Sequence, residues 1–485
     1  MEAIAAKTFS RIIDMSSNYC INMLMVITGS HSLVNNCSDN MSSTAFTTGA
    51  TIPTMNFVNS VSSDFPNPNR MYKVESGVIN RYLRDYLPIN ANISNGSIDD
   101  NYIEFVINSN DQEFIDLNSF VMEVKMKIAG IDGKSLETDK HVSIVDGCGH
   151  RLLSRFTLFL NGVPVESNSY FGLYNSLKTY ISLPREKLDS VGRNMYYKSM
   201  LTDIDEIITE NNFLNMSNDE TNIVKESKSV IHMTTPLHFD MSSSGFYLLN
   251  GVDVRLRFDL APAAVLINAY DGVDYKYNLI STKLWVQKVV PHNEALISLN
   301  SRLSSLHSSV EYVIDRPIIK NFVFPAGQSI LSLDNIFNGI VPHVIYLFFM
   351  KQKNSNGDLK RNSAYFTHCY MSSIRMELNG NTITSLTSNF PDQIASIFHH
   401  TIFNIKEKGG LISLQNFKKG RTIYAWDLSS SDCCDDLKIE KTGNVRMNIQ
   451  IEIPNTENVI AYVVGVTSGL VEIDSNRRVK TSYLM

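Results

Sequence analysis

Four small groups of side chains in this 485-residue sequence carry types and spacings that invite chemistry. Gly147-Cys148-Gly149-His150 sets a thiol and an imidazole two positions apart, as in half of a zinc site. A tetrahedral zinc needs about four ligands, and no second Cys/His pair follows at ligand spacing, so the segment reads as a turn between strands. His399 and His400 are adjacent, which on a helix aims them about 100° apart instead of onto one face. Cys433-Cys434-Asp435-Asp436 joins vicinal thiols to two carboxylates, which would suit a redox pair or a cation, but it follows a serine run and reads as an exposed polar turn. Asp240 and Asp427 each open a serine run at matching points of the chain, and such duplication favours turn capping over catalysis. There is no HExxH, no paired CxxC, no Walker lysine loop and no GxSxG elbow. The expectation is a protein that is not an enzyme, with no catalytic, cofactor-binding or metal-ligating residues and no cofactor.

The elements around these groups are more informative than the groups. Ser154-Arg155-Phe156-Thr157-Leu158-Phe159-Leu160-Asn161-Gly162 returns 218 residues later as Ser372-Ser373-Ile374-Arg375-Met376-Glu377-Leu378-Asn379-Gly380. In both copies apolar residues fill alternate positions and run into Asn-Gly, the signature of a half-buried strand entering a tight hairpin. Other landmarks recur in order: Glu104–Ile107 with Asn321–Phe324 at an offset of 217, Phe239–Ser244 with Trp426–Ser431 at 187, and Val254–Phe258 with Val445–Ile449 at 191. Helical apolar spacing follows each Asn-Gly strand, at Leu173, Leu177 and Ile181 and again at Ile394, Ile397 and Phe398. The drop from 218 to 187 places about 31 extra residues in the first copy. The sequence therefore encodes one fold twice.

Composition sets the class. Hydrophobic residues make up 43% of the chain and charged residues 19%, ordinary values for a globular protein long enough to hold two or three cores. A net charge of -6 argues against a dedicated nucleic-acid binder. Two local basic clusters, Lys418-Lys419-Gly420-Arg421 and Arg477-Arg478-Val479-Lys480, read as a solvated loop and tail. Six cysteines without regular spacing form no disulfide framework, which points to a reducing site of folding. The early apolar run Cys20–Ile27 is too short to span a bilayer, and Lys7 and Arg11 among Ile4, Phe9, Ile12 and Ile13 give an amphipathic helix instead of a signal peptide. Sequons at Asn92, Asn95 and Asn215 then read as polar loops.

Along the chain, residues 1–70 are rich in Ser, Thr, Asn and Met and read as an N-terminal arm, polar and turn-rich from about 30 onward. The first repeat occupies 71–291, with an elaborated loop at about 184–230; leucines at 296, 299, 303 and 306 mark a linker helix within 292–312; the second repeat fills 313–485. Each repeat offers seven or eight strands and too few helices for alternating β-α units. The expected fold class is all-β, two tandem eight-stranded jelly rolls with short helices in the loops and an N-terminal arm.

With those motifs in order, the chain resembles the double jelly-roll major capsid proteins of Polinton (Maverick) elements and the related adintoviruses. The resemblance rests on Tyr102–Ile107, Phe114–Asn118, Phe156–Gly162 with the helix Tyr170–Leu183, Leu248–Arg257, Arg316-Pro317-Ile318 and Asn321–Gly327, and covers about 100–385. It implies a structural capsid protein whose homotrimers have a near-hexagonal outline and tile an icosahedral shell around a DNA genome. The implied partners are other copies of the chain and a penton or minor capsid protein, without sequence-specific nucleic-acid binding or membrane contact. The implied location is the virion capsid, assembled inside the host cell, in cytoplasm or nucleus. A two-domain, lectin-like β-sandwich module is the alternative from another class, although no aromatic or acidic loop cluster stands out to support it.

Overall fold

The computed structural model describes residues 78–90, 101–134, 136, 142–197, 206–209, 223–224, 230–271, 273–306, 309–387, 394–405, 410–429 and 441–482. The arm at 1–70, the three sequons and Cys433–Asp436 lie outside them.

The first half contributes β1 (Val78–Tyr86), β2 (Tyr102–Ile107), β3 (Phe114–Asp116), β4 (Val121–Gly130), β5 (Val142–Ile144), β6 (Leu153–Leu160), β7 (Val163–Asn168), β8 (Ile223–Val224), β9 (Val230–Pro236), β10 (Tyr247–Leu248), β11 (Val254–Leu260), β12 (Ile267–Asn268) and β13 (Tyr275–Pro291). A single 3-10 turn at Leu117–Ser119, capped by the Asp116 carboxylate, splits one long strand into β3 and β4, and both pieces pair with β13. A second such turn at Asp240–Ser244 separates β9 from β10. Counting each split strand once, one sheet runs β1, β13, β3/β4, β9/β10 and the facing sheet runs β2-β11-β6-β7; β12-β5-β8 form a small lateral sheet.

The second half repeats this plan without the interruptions: β14 (Val310–Phe324), β15 (Ile330–Val341), β16 (Val344–Lys351), β17 (Met371–Leu378), β18 (Asn381–Thr387), β19 (Ile423–Asp427), β20 (Lys441–Ile451) and β21 (Val459–Ile473), with β22 (Val479–Thr481) added beside β21. Its sheets are β14-β21-β16-β19 and β15-β20-β17-β18. In both halves the first strand pairs with the last and the second with the seventh, which is jelly-roll topology.

The repeated phrase occupies equivalent places. Phe156, Leu158 and Leu160 of β6 lie opposite Phe258, Leu256 and Val254 of β11, and Ile374, Met376 and Leu378 of β17 lie opposite Ile449, Met447 and Val445 of β20. Both Asn-Gly pairs have positive φ, 47° and 78° at Asn161-Gly162 and 51° and 81° at Asn379-Gly380, as a two-residue hairpin turn of this hand requires. The landmark at offset 217 fails: Glu104–Ile107 is in β2, the second strand, whereas Asn321–Phe324 ends β14, the first. Neither stretch runs into an Asn-Gly hairpin, so its apolar residues alone could not fix its place in the fold.

The two hydrophobic cores cross the boundary between the halves. Val310, Tyr312 and Ile314 of β14, Val471 and Ile473 of β21, and Leu303 of helix Asn293–Leu306 complete the first core. In return Leu177, Tyr180 and Ile181 of helix Phe171–Ser182, followed by Leu188, Met195 and Tyr197, are buried in the second. The region expected as an elaborated loop thus begins as packed structure. Burying such apolar side chains contributes roughly 1.5–3 kcal/mol each, so each half relies on the other for part of its core.

Candidate functional site

Among the described residues, the suspected groups meet other partners. Cys148 and His150 are not in a turn but in a fully buried helical turn, Cys148–Arg151. His150 Nε2 lies 2.8 Å from the Pro236 carbonyl and so donates to it, while Nδ1 accepts from the Tyr197 hydroxyl at 3.0 Å. Burial lowers this imidazole to about 4 and raises the Cys148 thiol to about 12, so both stay neutral. No group of three or more His, Cys, Asp or Glu that could hold a metal occurs among the described residues. His400 bonds to Asn404 one turn on in helix Ile394–Asn404. The Asp427 carboxylate caps its own turn, accepting from the Ser429 amide and hydroxyl. Asp240 does not match that role: it is buried against Glu166, and the Arg316 guanidinium of β14 stands 3.8 Å from it.

The most elaborate polar structure lies at the joint between the sandwiches. Arg421, expected in a solvated basic loop, is 1% exposed, and its guanidinium meets the fully buried Asp146 carboxylate at 2.8 Å. The Tyr180 hydroxyl donates to the same carboxylate oxygen at 2.8 Å, and the Arg421 guanidinium lies 4.8 Å from the centre of the Tyr180 ring. Arg477, expected in a solvated tail, donates to the Asn250 carbonyl and side chain and to Asn300, and its own carbonyl accepts from Asn161. Each basic cluster therefore supplies one arginine that ties the second half of the chain to the first. Nothing in local sequence marks these arginines, because the Asn250 carbonyl and the Asp146 carboxylate that hold them lie 227 and 275 residues away.

The joint has a definite shape. Tyr462 of β21 stacks on Phe348 of β16, with ring centres 5.3 Å apart, and Tyr170 meets it edge-on at 5.8 Å. Asn321 donates to the Tyr170 hydroxyl at 2.9 Å. Helix Phe171–Ser182 thus lies on the outer face of the second sandwich's β14-β21-β16-β19 sheet.

Among the described residues, no helix covers the corresponding face of the first sandwich. Trp285 and Lys283 of β13 share it with Glu123 of β4, His232 of β9, and Leu83 and Asp85 of β1. Trp285 Nε1 donates to Glu123 at 2.9 Å, His232 Nε2 is 2.9 Å from the same carboxylate, and Lys283 pairs with Asp85 at 3.1 Å. The Trp285 hydrogen bond, followed by His232, holds the Glu123 carboxyl below its usual range. Leu83 is 63% exposed. Helix Ile394–Asn404, the counterpart of Phe171–Ser182, buries Ile394, Ile397 and Thr401 on its own sandwich and leaves Phe403 80% exposed.

A polar cavity of about 460 Å³ opens between β1, β13 and the loop after β2, lined by Arg84, Tyr86, Asn108 to Asp111, Glu113 and Lys288. Its two cations face two carboxylates, and the buried Lys288 ammonium lies 3.9 Å from Glu113.

No protein-family model matches the chain, and no curated protein matches it in sequence. Solved structures do match its shape. The Sputnik virophage structure aligns over 90% of this chain and 93% of its own at 12% identity and a TM-score of 0.57. VP54 of PBCV-1, as fitted into a Sputnik reconstruction, aligns over 84% and 97% at 10% identity and a TM-score of 0.55. The mavirus major capsid protein aligns over 91% and 96% at 9% identity and a TM-score of 0.51. These neighbours are double jelly-roll viral major capsid proteins. The chain has the double jelly-roll fold. At these identities the likeness establishes architecture, and the resemblance to the Polinton group in particular rests on the sequence motifs alone.

Proposed function

We propose that this chain is the major capsid protein of a virus or virus-like element of the Polinton and adintovirus kind. In this reading homotrimers tile an icosahedral shell around a DNA genome. The observation that carries the reading is a contact made once inside the chain and, among the described residues, left open at both ends. Helix Phe171–Ser182 covers the second sandwich's sheet, while helix Ile394–Asn404 and the first sandwich's equivalent sheet leave Phe403 and Leu83 exposed. Repeating the contact between chains joins the exposed helix of one copy to the exposed sheet of the next. A head-to-tail contact of this kind closes into a ring when its rotation permits. Three chains of two sandwiches close with six similar sides, the outline that a near-hexagonal lattice needs. The likeness to viral capsid folds supports the same reading.

Further partners follow from it: neighbouring capsomers, and a penton or minor capsid protein at the vertices. The chain would act in the virion and assemble in the host cytoplasm or nucleus without catalysis or a bound metal. The arm at 1–70 would tether a capsomer to its base or to a neighbouring trimer, so deleting 1–60 would leave trimers folded and reduce closed shells.

Light scattering behind size exclusion, with electron microscopy of the same fractions, tests the proposal. Trimers or closed particles are expected. A stable monomer at micromolar concentration would remove the basis of the capsid reading.

A further inference from the structure

The joint contains a second polar group, distinct from the Asp146–Arg421 pair. Glu166 on β7 and Asp240 at the start of the one-turn helix Asp240–Ser244 are 3% and 7% exposed. The Asp240 amide donates to Glu166 Oε2 at 2.7 Å, which sets the two buried carboxyl groups side by side. Two carboxyls that share a buried site disfavour each other's ionisation, which favours a proton on one of them. Glu166 Oε1 has no hydrogen-bond partner. The nearest cation, Arg316, comes from the second sandwich and approaches Asp240 Oδ2 at 3.8 Å.

The remaining groups around the pair are few. Helix Phe171–Ser182 contributes Lys178 and Tyr174, and β14 contributes Asp315 beside Arg316. His343, between β15 and β16, stands 3.4 Å from Asp315, and Tyr346 of β16 neighbours Tyr174. The same short segment docks the first sandwich onto β14: Ser243 Oγ accepts from the Asp315 amide, and the Tyr312 hydroxyl bridges the Leu249 amide and the Tyr247 carbonyl.

We propose that a proton shared by Glu166 and Asp240 locks the segment Phe239–Leu249 onto β14, and that losing this proton loosens the contact between sandwiches while each stays folded. Once both carboxyls ionise, one guanidinium faces two buried negative charges, and the uncompensated one is strongly unfavourable at low local dielectric. Burial, the largest cause for both, raises Asp240 to about 7 and Glu166 well above its ordinary range. Both groups ionise near pH 4 in an unfolded chain, so the folded state holds protons that the unfolded state has lost. The contribution of this pair is therefore full below about pH 4 and declines as pH rises through about 7. The buried neutral imidazoles His150 and His238, lowered by burial to about 4 and about 3, oppose this trend in acid, so a whole-protein melt would blend the two effects.

Hydrogen exchange resolved by peptide, corrected for intrinsic rates, separates them in the full-length protein. Between pH 6 and 8.5, peptides covering 239–249 and 310–318 should lose about tenfold or more in protection, the effect of roughly one pH unit of proton linkage. Glu166→Gln, which keeps a neutral donor in place, should hold its protection across that range. If it does not fold, Asp240→Asn provides the same comparison. Unchanged wild-type protection at these peptides would overturn the proposal, as would equal loosening in the variant or loss spread evenly over both sandwiches. None of these outcomes depends on whether the protein builds a shell.

Discussion

Arg421 and Asp146, 275 positions apart, form a fully buried ion pair at 2.8 Å across the joint between the two jelly rolls. Removing one member strands the other in low dielectric, which costs about 3–5 kcal/mol in comparable buried pairs. Arg421→Met should lower the urea midpoint by a corresponding amount. The double variant Arg421→Met with Asp146→Leu should recover most of the loss, since replacing both charges with apolar groups is often near neutral. A double variant as unstable as the single would show that the pair is not the source.

Asn161 and Asn379 should behave as one residue used twice. Each side-chain oxygen accepts an amide from the strand entering beside it, Asp253 at 2.8 Å and Asn444 at 2.9 Å, and each holds a left-handed φ. Asn161→Ala and Asn379→Ala should each cost about 1–2 kcal/mol, through the lost hydrogen bond and the strained turn. Denaturant melts that separate the two by more than about 1 kcal/mol would argue against equivalent turns.

Phe403→Glu tests the surface through which we propose that copies meet. Phe403 is 80% exposed, so the substitution should leave the melting temperature of the isolated chain nearly unchanged. It should nonetheless shift the light-scattering mass toward monomer. A variant that assembles like the wild type would exclude this helix from the contact.

Cys148 and Cys369 should be silent toward thiol reagents in the native protein. Both are buried, and burial lifts each thiol to about 12, leaving almost no thiolate at neutral pH. Mass spectrometry after pulsed alkylation should find them modified only once denaturant is added. Native-state labelling of Cys148 would contradict its complete burial.

Alternation followed by Asn-Gly is a local signal, because strand faces and hairpin turns depend on a few neighbouring residues. The sequence alone therefore determined the repeated strand Ser154–Leu160 and its copy, their turns, the matched strands at Val254 and Val445, and the doubling of the fold. The same logic failed for Glu104–Ile107 and Asn321–Phe324, two apolar stretches without an Asn-Gly hairpin to anchor them. Tertiary structure alone decided which charges are buried. Arg421 and Arg477 look like solvent residues in their own segments, and Asp240 looks like a turn cap. Their environments come from partners far away along the chain, and burial and Coulombic pairing depend on distance in space, which one-dimensional spacing does not record.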